Sequence, residues 1–439
     1  MKRNINKGRR EFLKQAAALA VSAAGFPMFI PSAVLGRSGA VAPSDRIAIG
    51  CIGVGGMGLS NLRNFLGKPG AQIVAVCDVD ANHAAEACAI VAKKTGKNGC
   101  YQYNDFRDLL ARSDLDAVCI STPDHWHALI AVAAAKAGLD IYGEKPFAYS
   151  IAEGRAIVDA VQRYGVIWQT GSWQRSVRNF RHACELVRNG RIGNVQRILV
   201  GLPQGLRIVD QGGYKPAPVP EGFDYDLWLG PAPWVPYIPN RCHYNFRWNT
   251  DYCGGRVTDW GAHHCDIAQW GAGTEMTGPV EVEGSAVFPK GEEGLFDTPT
   301  SFQFSCRYNE GFTMIVADEL QTPKGMGVQF FGSEGWIWID RSGIEASKKS
   351  LLSSVIGPEE THLYRSDDHH QNFLDCVRSR SETSAPAHIA QRSVTICHLG
   401  LTAMRLGRKV GWDPMAERFV NDAEADRFLS RPMRSPWIL

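Results

Sequence analysis

Two short segments far apart in the chain hold the side chains best suited to moving a proton. In the first, Glu144-Lys145-Pro146, the residue before Pro avoids the helical region, so Lys145 should project from an extended strand end. A partly buried Lys with a lowered pKa can donate or accept a proton near neutral pH, whereas a Lys on a surface loop would be only a solvated charge. The second segment is Gly254-Gly255-Arg256-Val257-Thr258-Asp259-Trp260-Gly261-Ala262-His263-His264-Cys265-Asp266. On a helix, Asp259 and His263 would share a face, with Asp266 and Trp270 further along it. A carboxylate beside an imidazole orients the ring and raises its basicity, and His is the usual base for a hydroxyl proton at neutral pH. Asp259, His263, His264 and Cys265 are also metal-ligand types. Their spacing forms no recognisable ligand signature, so no metal is expected.

A third constellation is Gly53-Val54-Gly55-Gly56-Met57-Gly58. It follows a strand-like run at 46–52 and precedes a helix-like run at 59–66. In that context the glycines allow a tight turn and let backbone N–H groups approach a pyrophosphate at a helix N-terminus. A second strand, 72–77, ends in Asp78, twenty residues after Gly58. Asp78 should accept from the adenosine ribose hydroxyls and repel a 2′-phosphate, so NAD is expected over NADP. The other reading of Asp78 is a helix cap.

These groups need a scaffold. Strand-like runs at 116–121, 140–143 and 166–169 alternate with helix-like runs at 126–137 and 151–164. The alternation predicts a doubly wound parallel sheet with ligands outside the carboxyl ends of its strands. Those ends carry Thr122-Pro123-Asp124-His125-Trp126-His127 and Glu144-Lys145-Pro146. All twelve tryptophans lie at or after Trp126, which marks a compositional change. Strand-like runs at 195–202, 279–288, 300–308, 311–320, 326–331 and 336–339 predict a second, α+β domain with an open, mostly antiparallel sheet. Between the first two of them, 203–255 is rich in Pro, Gly and aromatics. Its rings suit either sugar faces or a structured loop. Helices are expected at 367–378 and 390–407, and an irregular tail at 411–439. The expected organisation is a leader and linker at 1–42, a nucleotide domain at 45–170, a substrate and oligomerisation domain at 171–410, and the tail.

The chain has 439 residues, 44% hydrophobic and 21% charged, with a formal charge of +2. This is globular composition, and the near-neutral balance argues against a nucleic-acid partner. Residues 1–42 carry seven basic residues against Glu11, a net of +6 that leaves −4 for the rest. Arg9-Arg10-Glu11-Phe12-Leu13-Lys14 followed by a short apolar run looks like a twin-arginine export signal, with periplasmic delivery or retention as an anchor to follow. No further membrane span is expected. Cys51, Cys77 and Cys119 sit in apolar runs, as small core residues do.

Taken together, the glycine loop, Thr122-Pro123 with His127, Glu144-Lys145-Pro146, and Asp259 with Gly261, His263 and Asp266 resemble the glucose–fructose oxidoreductase / inositol dehydrogenase (Gfo/Idh/MocA) family over roughly residues 45 to 410. The resemblance implies that Lys145 and His263 form an acid/base pair and that Asp259 orients substrate and His263. It places Thr122, Pro123, His127 and Glu144 in the cofactor pocket and Arg175 near the substrate. Trp126, Arg247 in Phe246-Arg247-Trp248, and His264 are further candidate substrate contacts. The family also implies a homodimer or homotetramer built on the outer face of the sheet.

The expected activity is hydride transfer between NAD and a hydroxyl of a sugar, polyol or glycoside. Little free NAD exists outside the cytoplasm, so a tightly held cofactor that lends and regains hydride would suit an exported enzyme. One alternative is glycoside cleavage through transient oxidation. Relatives that resemble such glycosidases typically lack the Lys that stands here as Lys145. A second alternative is a non-catalytic carbohydrate-binding protein.

Overall fold

The computed structural model describes residues 45–96, 98–206, 214–289 and 295–439. The export-signal reading lies outside the described residues.

Six strands, β1 (Ile47–Ile52), β2 (Ala71–Cys77), β3 (Tyr101–Tyr103), β4 (Ala117–Ile120), β5 (Asp140–Gly143) and β6 (Trp168–Thr170), form a parallel sheet in the order β3-β2-β1-β4-β5-β6. β4 and β5 are buried along their whole length, and β1 almost so. Such unbroken burial fits a parallel sheet covered on both faces. Helices α1 (Gly56–Leu66), α2 (Ala81–Thr95), α3 (His127–Lys136) and α4 (Ile151–Tyr164) alternate with these strands. Cys51, Cys77 and Cys119 are buried in the sheet, and all twelve cysteines are free. The edge strand β3 has no apolar run and was not expected.

The second domain contains α5 (Arg178–Arg188), β7 (Val195–Leu202), α6 (Arg256–Asp259), α7 (Gly261–Ala272), β8 (Glu281–Val287), β9 (Ser301–Arg307), β10 (Thr313–Asp318), β11 (Gly327–Gly332), β12 (Trp336–Ile339), β13 (Ile344–Ala346), α8 (His369–Ser379), α9 (Ala387–Leu406), β14 (Val410–Asp413) and β15 (Arg418–Phe419). Its nine-stranded sheet runs β13-β12-β11-β7-β10-β9-β8-β14-β15. Every neighbouring pair is antiparallel except β7 with β10. α7 is buried from Gly261 to Gly271, and its Cys265, Ile267, Ala268 and Trp270 share one core with Phe304, Phe330, Ile396 and Leu399. A helix enclosed on all sides holds any polar residue in a fixed environment.

Residues 411–439 are not irregular throughout. β14 and β15 extend the large sheet, and Trp412 and Phe419 join its core. Further on, Arg431 bonds Glu153 at 2.8 Å and the His125 carbonyl at 2.7 Å, and Trp437 packs edge-on against Trp126. These anchors come from distant segments, so no local periodicity announces them.

The Pro- and aromatic-rich segment packs largely on itself. Phe223, Tyr225, Trp228, Leu229, Tyr237, Cys242 and Tyr252 form a separate small core. It is also tied to the nucleotide domain: Ala81 N–H donates to Gly222, Asp224 N–H to Val79, and Asn104 to the Asp224 carboxylate, all within 2.8–2.9 Å.

Candidate functional site

A cavity of about 610 Å³ opens at the carboxyl ends of β1, β2, β4 and β5. Its lining brings together Gly53, Gly55, Gly56, Met57, Asp78, Thr122, Pro123, Trp126, Glu144, Lys145, Arg247 and Asp259. Phe223, Trp228, His243 and Tyr244 of the aromatic segment form the opposite wall.

The glycine loop shows why each position is small. Gly53 has φ +76°, and a Cβ there would meet the Ser121–Thr122 backbone at 2.8 Å. A Cβ on Gly58 would lie 1.9 Å from the Gly53 carbonyl, so these two glycines shape the turn itself. A Cβ on Gly56 would meet nothing within 4 Å, and one on Gly55 only His83. That open space lies at the N-terminus of α1, which has neither a side-chain cap nor an acidic residue in its first turn. Uncapped N–H groups at a helix start suit a pyrophosphate. The Thr122 hydroxyl, buried in the same cavity region without a partner, is a further polar group awaiting one. The site therefore fits a dinucleotide.

Asp78 accepts from Val54 N–H at 2.8 Å and Asp80 N–H at 2.9 Å, which ties the end of β2 to the loop. His83 stands 3.6 Å from it, and this contact raises the His83 pKa. Asp80, His83 and His243 place one ligand atom each within 4.8 Å of one another. This donor group sits at the cavity rim near Asp78, well apart in sequence from the Asp259–Cys265 set.

The lower wall is a polar network. Glu144 is buried and accepts from Asn61 at 2.9 Å and from Lys145 N–H at 3.2 Å. His127 bridges loops, with its ring nitrogens 2.7 Å from the Pro146 carbonyl and 2.9 Å from that of Thr122. It braces the cofactor pocket from behind rather than lining it. The Lys145–Pro146 peptide is cis.

Lys145 Nζ donates to Asp259 Oδ1 at 2.5 Å. Arg256 donates to Asp259 Oδ2 at 2.9 Å, and Arg247 stands 3.7 Å from the same oxygen. Burial alone would raise the Asp259 pKa, but Lys145 and Arg247 lead the cations that hold it well below the carboxylate range. Burial would likewise lower Lys145, yet Asp259 and Glu144 outweigh it and the pKa is raised. This corrects the expectation of a lowered Lys145: at neutral pH it is an ammonium.

His263 is 3% exposed and lies just outside the cavity lining. Its Nδ1 is buried without a partner, so Asp259 does not hold it as the i, i+4 spacing suggested. Both oxygens of Asp259 are instead taken by cations, and the helix is interrupted at Trp260 between α6 and α7. Burial pushes His263 well below its ordinary value, and the charges of Lys145 and Arg341 add to the effect.

Three expected substrate contacts are engaged elsewhere. Arg175, 4% exposed, donates to Asp266 at 2.6 and 2.9 Å and to Glu275 at 2.7 Å, and lies over Trp270. His264 Nδ1 bonds the Gly201 carbonyl at 2.9 Å, and burial lowers its pKa to about 4. Neither reaches the cavity. Trp126 is part of the wall, but its indole N–H is taken by the Trp228 carbonyl at 3.1 Å. Of the four, Arg247 alone reaches Asp259. Sequence reasoning missed Asn61, His83, His243, Arg256 and Arg341. Asn61, on the apolar face of α1 beside Leu62 and Phe65, had left a signal.

Two family models match the chain: an oxidoreductase-family NAD-binding Rossmann fold over residues 47–172, and an oxidoreductase-family C-terminal alpha/beta domain over residues 170–439. The chain belongs to the Gfo/Idh/MocA oxidoreductase family. It is 24% identical over 375 residues to the uncharacterized oxidoreductase YrbE of Bacillus subtilis, covering 84% of this chain and 97% of that protein. It is 35% identical over 173 residues to a glycosyl hydrolase family 109 protein of Shewanella baltica, but that match spans only 36% of this chain and 38% of the relative. The fold is similar to that of aldose-aldose oxidoreductase from Caulobacter crescentus complexed with glycerol, with TM-score 0.61 at 18% identity over 83% of this chain and 98% of that one.

Two outcomes follow. Gly56→Ala should keep the melting temperature of the parent yet weaken NAD binding about tenfold or more, measured by calorimetry, because the added methyl enters only cofactor space. Arg175→Ala should lower unfolding free energy by about 3–5 kcal/mol in urea titrations, since it strands the buried Asp266 carboxylate. A substrate contact would instead change KM and leave stability alone.

Proposed function

We propose that this NAD-binding oxidoreductase acts by hydride transfer at a hydroxyl of a sugar, polyol or glycoside, with NAD held tightly and preferred to NADP. The observation that carries this is the Lys145–Asp259 pair at 2.5 Å, closing the nicotinamide end of a dinucleotide-sized cavity beside a neutral His263. When bound, the nicotinamide would supply the hydride acceptor. His263, lowered below its ordinary value, is free to accept the hydroxyl proton. The Lys145 ammonium, fixed by Asp259, stabilises the oxyanion as it develops. Asp78 at the end of β2 supports NAD by setting a carboxylate where a 2′-phosphate would lie. The ties of the aromatic segment to Val79, Ala81 and Asn104 support tight retention. Oligomer formation through the large sheet and export by the twin-arginine signal complete the proposal.

Glycoside cleavage by transient oxidation is a second reading, favoured by the partial similarity to glycosyl hydrolase family 109. Purified protein incubated with glycosides and no added NAD separates the two. Net NADH formed in proportion to product supports dehydrogenation. Repeated release of free sugar with no net NADH supports cleavage. Lys145→Ala should lose turnover by at least about a hundredfold while NAD binding persists; retained turnover removes Lys145 from the mechanism. Because the His263 pKa lies below 6.5, kcat/KM should show no inflection at that pH as the medium is acidified, and its acid limb should lie lower. A normal His would begin to lose activity there.

A further inference from the structure

Among the described residues, one cation near the reacting groups has no carboxylate at ion-pair distance. Asp259 is the shared partner of Lys145, Arg256 and Arg247, at 2.5, 2.9 and 3.7 Å. Arg341 is the fourth cation acting on this centre, since its charge is felt by both His263 and Asp259. No described carboxylate lies within ion-pair distance of it. The one acid beside it, Asp340, is spent on its own turn, accepting from Ser342 N–H, the Ser342 hydroxyl and Gly343 N–H. That turn joins β12 to β13 and sets Arg341 at its tip, where the residue is exposed.

What holds the guanidinium is aromatic. It lies 4.4 Å from the ring centre of Trp173 and 4.3 Å from that of Trp260. The same two indoles meet His263 edge-on, at centroid separations of 6.4 and 5.9 Å. None of Arg341, Trp173, Trp260 or His263 lines the cofactor cavity. The group therefore forms a cluster around His263 that is separate from the cavity lining. Its chemistry is specific. Indole faces stack on the C–H faces of sugar rings, and a guanidinium free of a protein acid offers a planar fork for an oxyanion.

We propose that Trp173, Trp260 and Arg341 form the substrate subsite and that the substrate is an anionic carbohydrate, whose carboxylate or sulfate pairs with Arg341 while its ring packs against the indoles. This rests on the proposed carbohydrate oxidoreductase and narrows its substrate class. An anion there would answer the one of these four cations that neither Asp259 nor Glu144 pairs with. It would also anchor the ring beside His263, whose buried Nδ1 lacks a partner.

The test is binding, read by quenching of tryptophan fluorescence in the NAD-loaded full chain, with NADH formation recorded separately. The probes are D-glucuronate, glucose 6-sulfate and D-glucose, with sodium sulfate as an ionic control. At least one anionic sugar should bind about tenfold or more tightly than glucose, and which one does so separates carboxylate from sulfate. Arg341→Met should erase that preference, and Arg341→Lys should restore part of it; melting temperature and NAD content report whether each variant is folded. A wild-type protein that binds glucose as well as the anionic sugars, or binds neither anionic sugar, overturns the proposal. So does a preference that survives in folded Arg341→Met, which would leave Arg341 as a tie holding the hairpin. Oxidation of neutral sugars by a protein indifferent to charge would sink this subsite and leave the oxidoreductase reading standing. Arg341-dependent binding without any NAD reduction would do the reverse.

Discussion

The structure turns on one buried ion pair that joins two domains. Lys145 comes from the strand end of the parallel sheet and Asp259 from the short helix ahead of α7, 114 residues later. Neither is stable where it sits without the other, because desolvation of a lone charge costs several kcal/mol. The pair is affordable only inside a wider set of contacts. Arg256 and Arg247 share Asp259, while Glu144, held by Asn61, offsets the lysine from behind. A consequence is that the lysine is a stronger cation than usual and its neighbour His263 a weaker base. Opposite shifts in adjacent groups are how one site can hold an acid and a base at the same pH.

That arrangement demands rigid supports on both sides. On the nucleotide side, β5 is buried along its length and the following loop is braced by His127 between two carbonyls. On the other side, α7 is enclosed by the nine-stranded sheet and α9, and the Arg175–Asp266–Glu275 network locks it from within. Arg175 thus serves the site at a distance by fixing the helix that carries His263. The aromatic segment and the C-terminal residues then fasten the domains together, through backbone bonds to Val79 and Ala81 after β2 and through Arg431 on Glu153.

Much of this was legible in residue order. The glycine loop, the acid after β2, the alternation of strands and helices, and the turn to an antiparallel sheet all rest on local rules. They depend on backbone freedom at Gly53, on apolar runs in β1 and β4, and on period-two patterns in β8 and β9. Chemistry at Lys145, Asp259 and His263 could also be suspected from type and spacing. The errors share a cause. Arg175 and His264 have the right chemistry for a substrate, but Asp266 and Glu275 take the Arg175 guanidinium, the Gly201 carbonyl takes His264 Nδ1, and neither residue lines the cavity; Trp126 does line it, with its indole N–H on the Trp228 carbonyl. Asp259 was matched with His263 by helical spacing, and the short break at Trp260 together with two nearby cations drew it away.

The sequence by itself determined the fold class, the dinucleotide loop and the residue types available for catalysis, because backbone sterics and hydrophobic periodicity act within a few residues. Only the tertiary structure decided which charge answers which. Ion pairs and hydrogen bonds form across any separation in sequence, and burial sets their strength. The assignment of Asp259 to Lys145, of Asp266 to Arg175, and of two indoles to an otherwise unanswered Arg341 therefore had to wait for the folded chain.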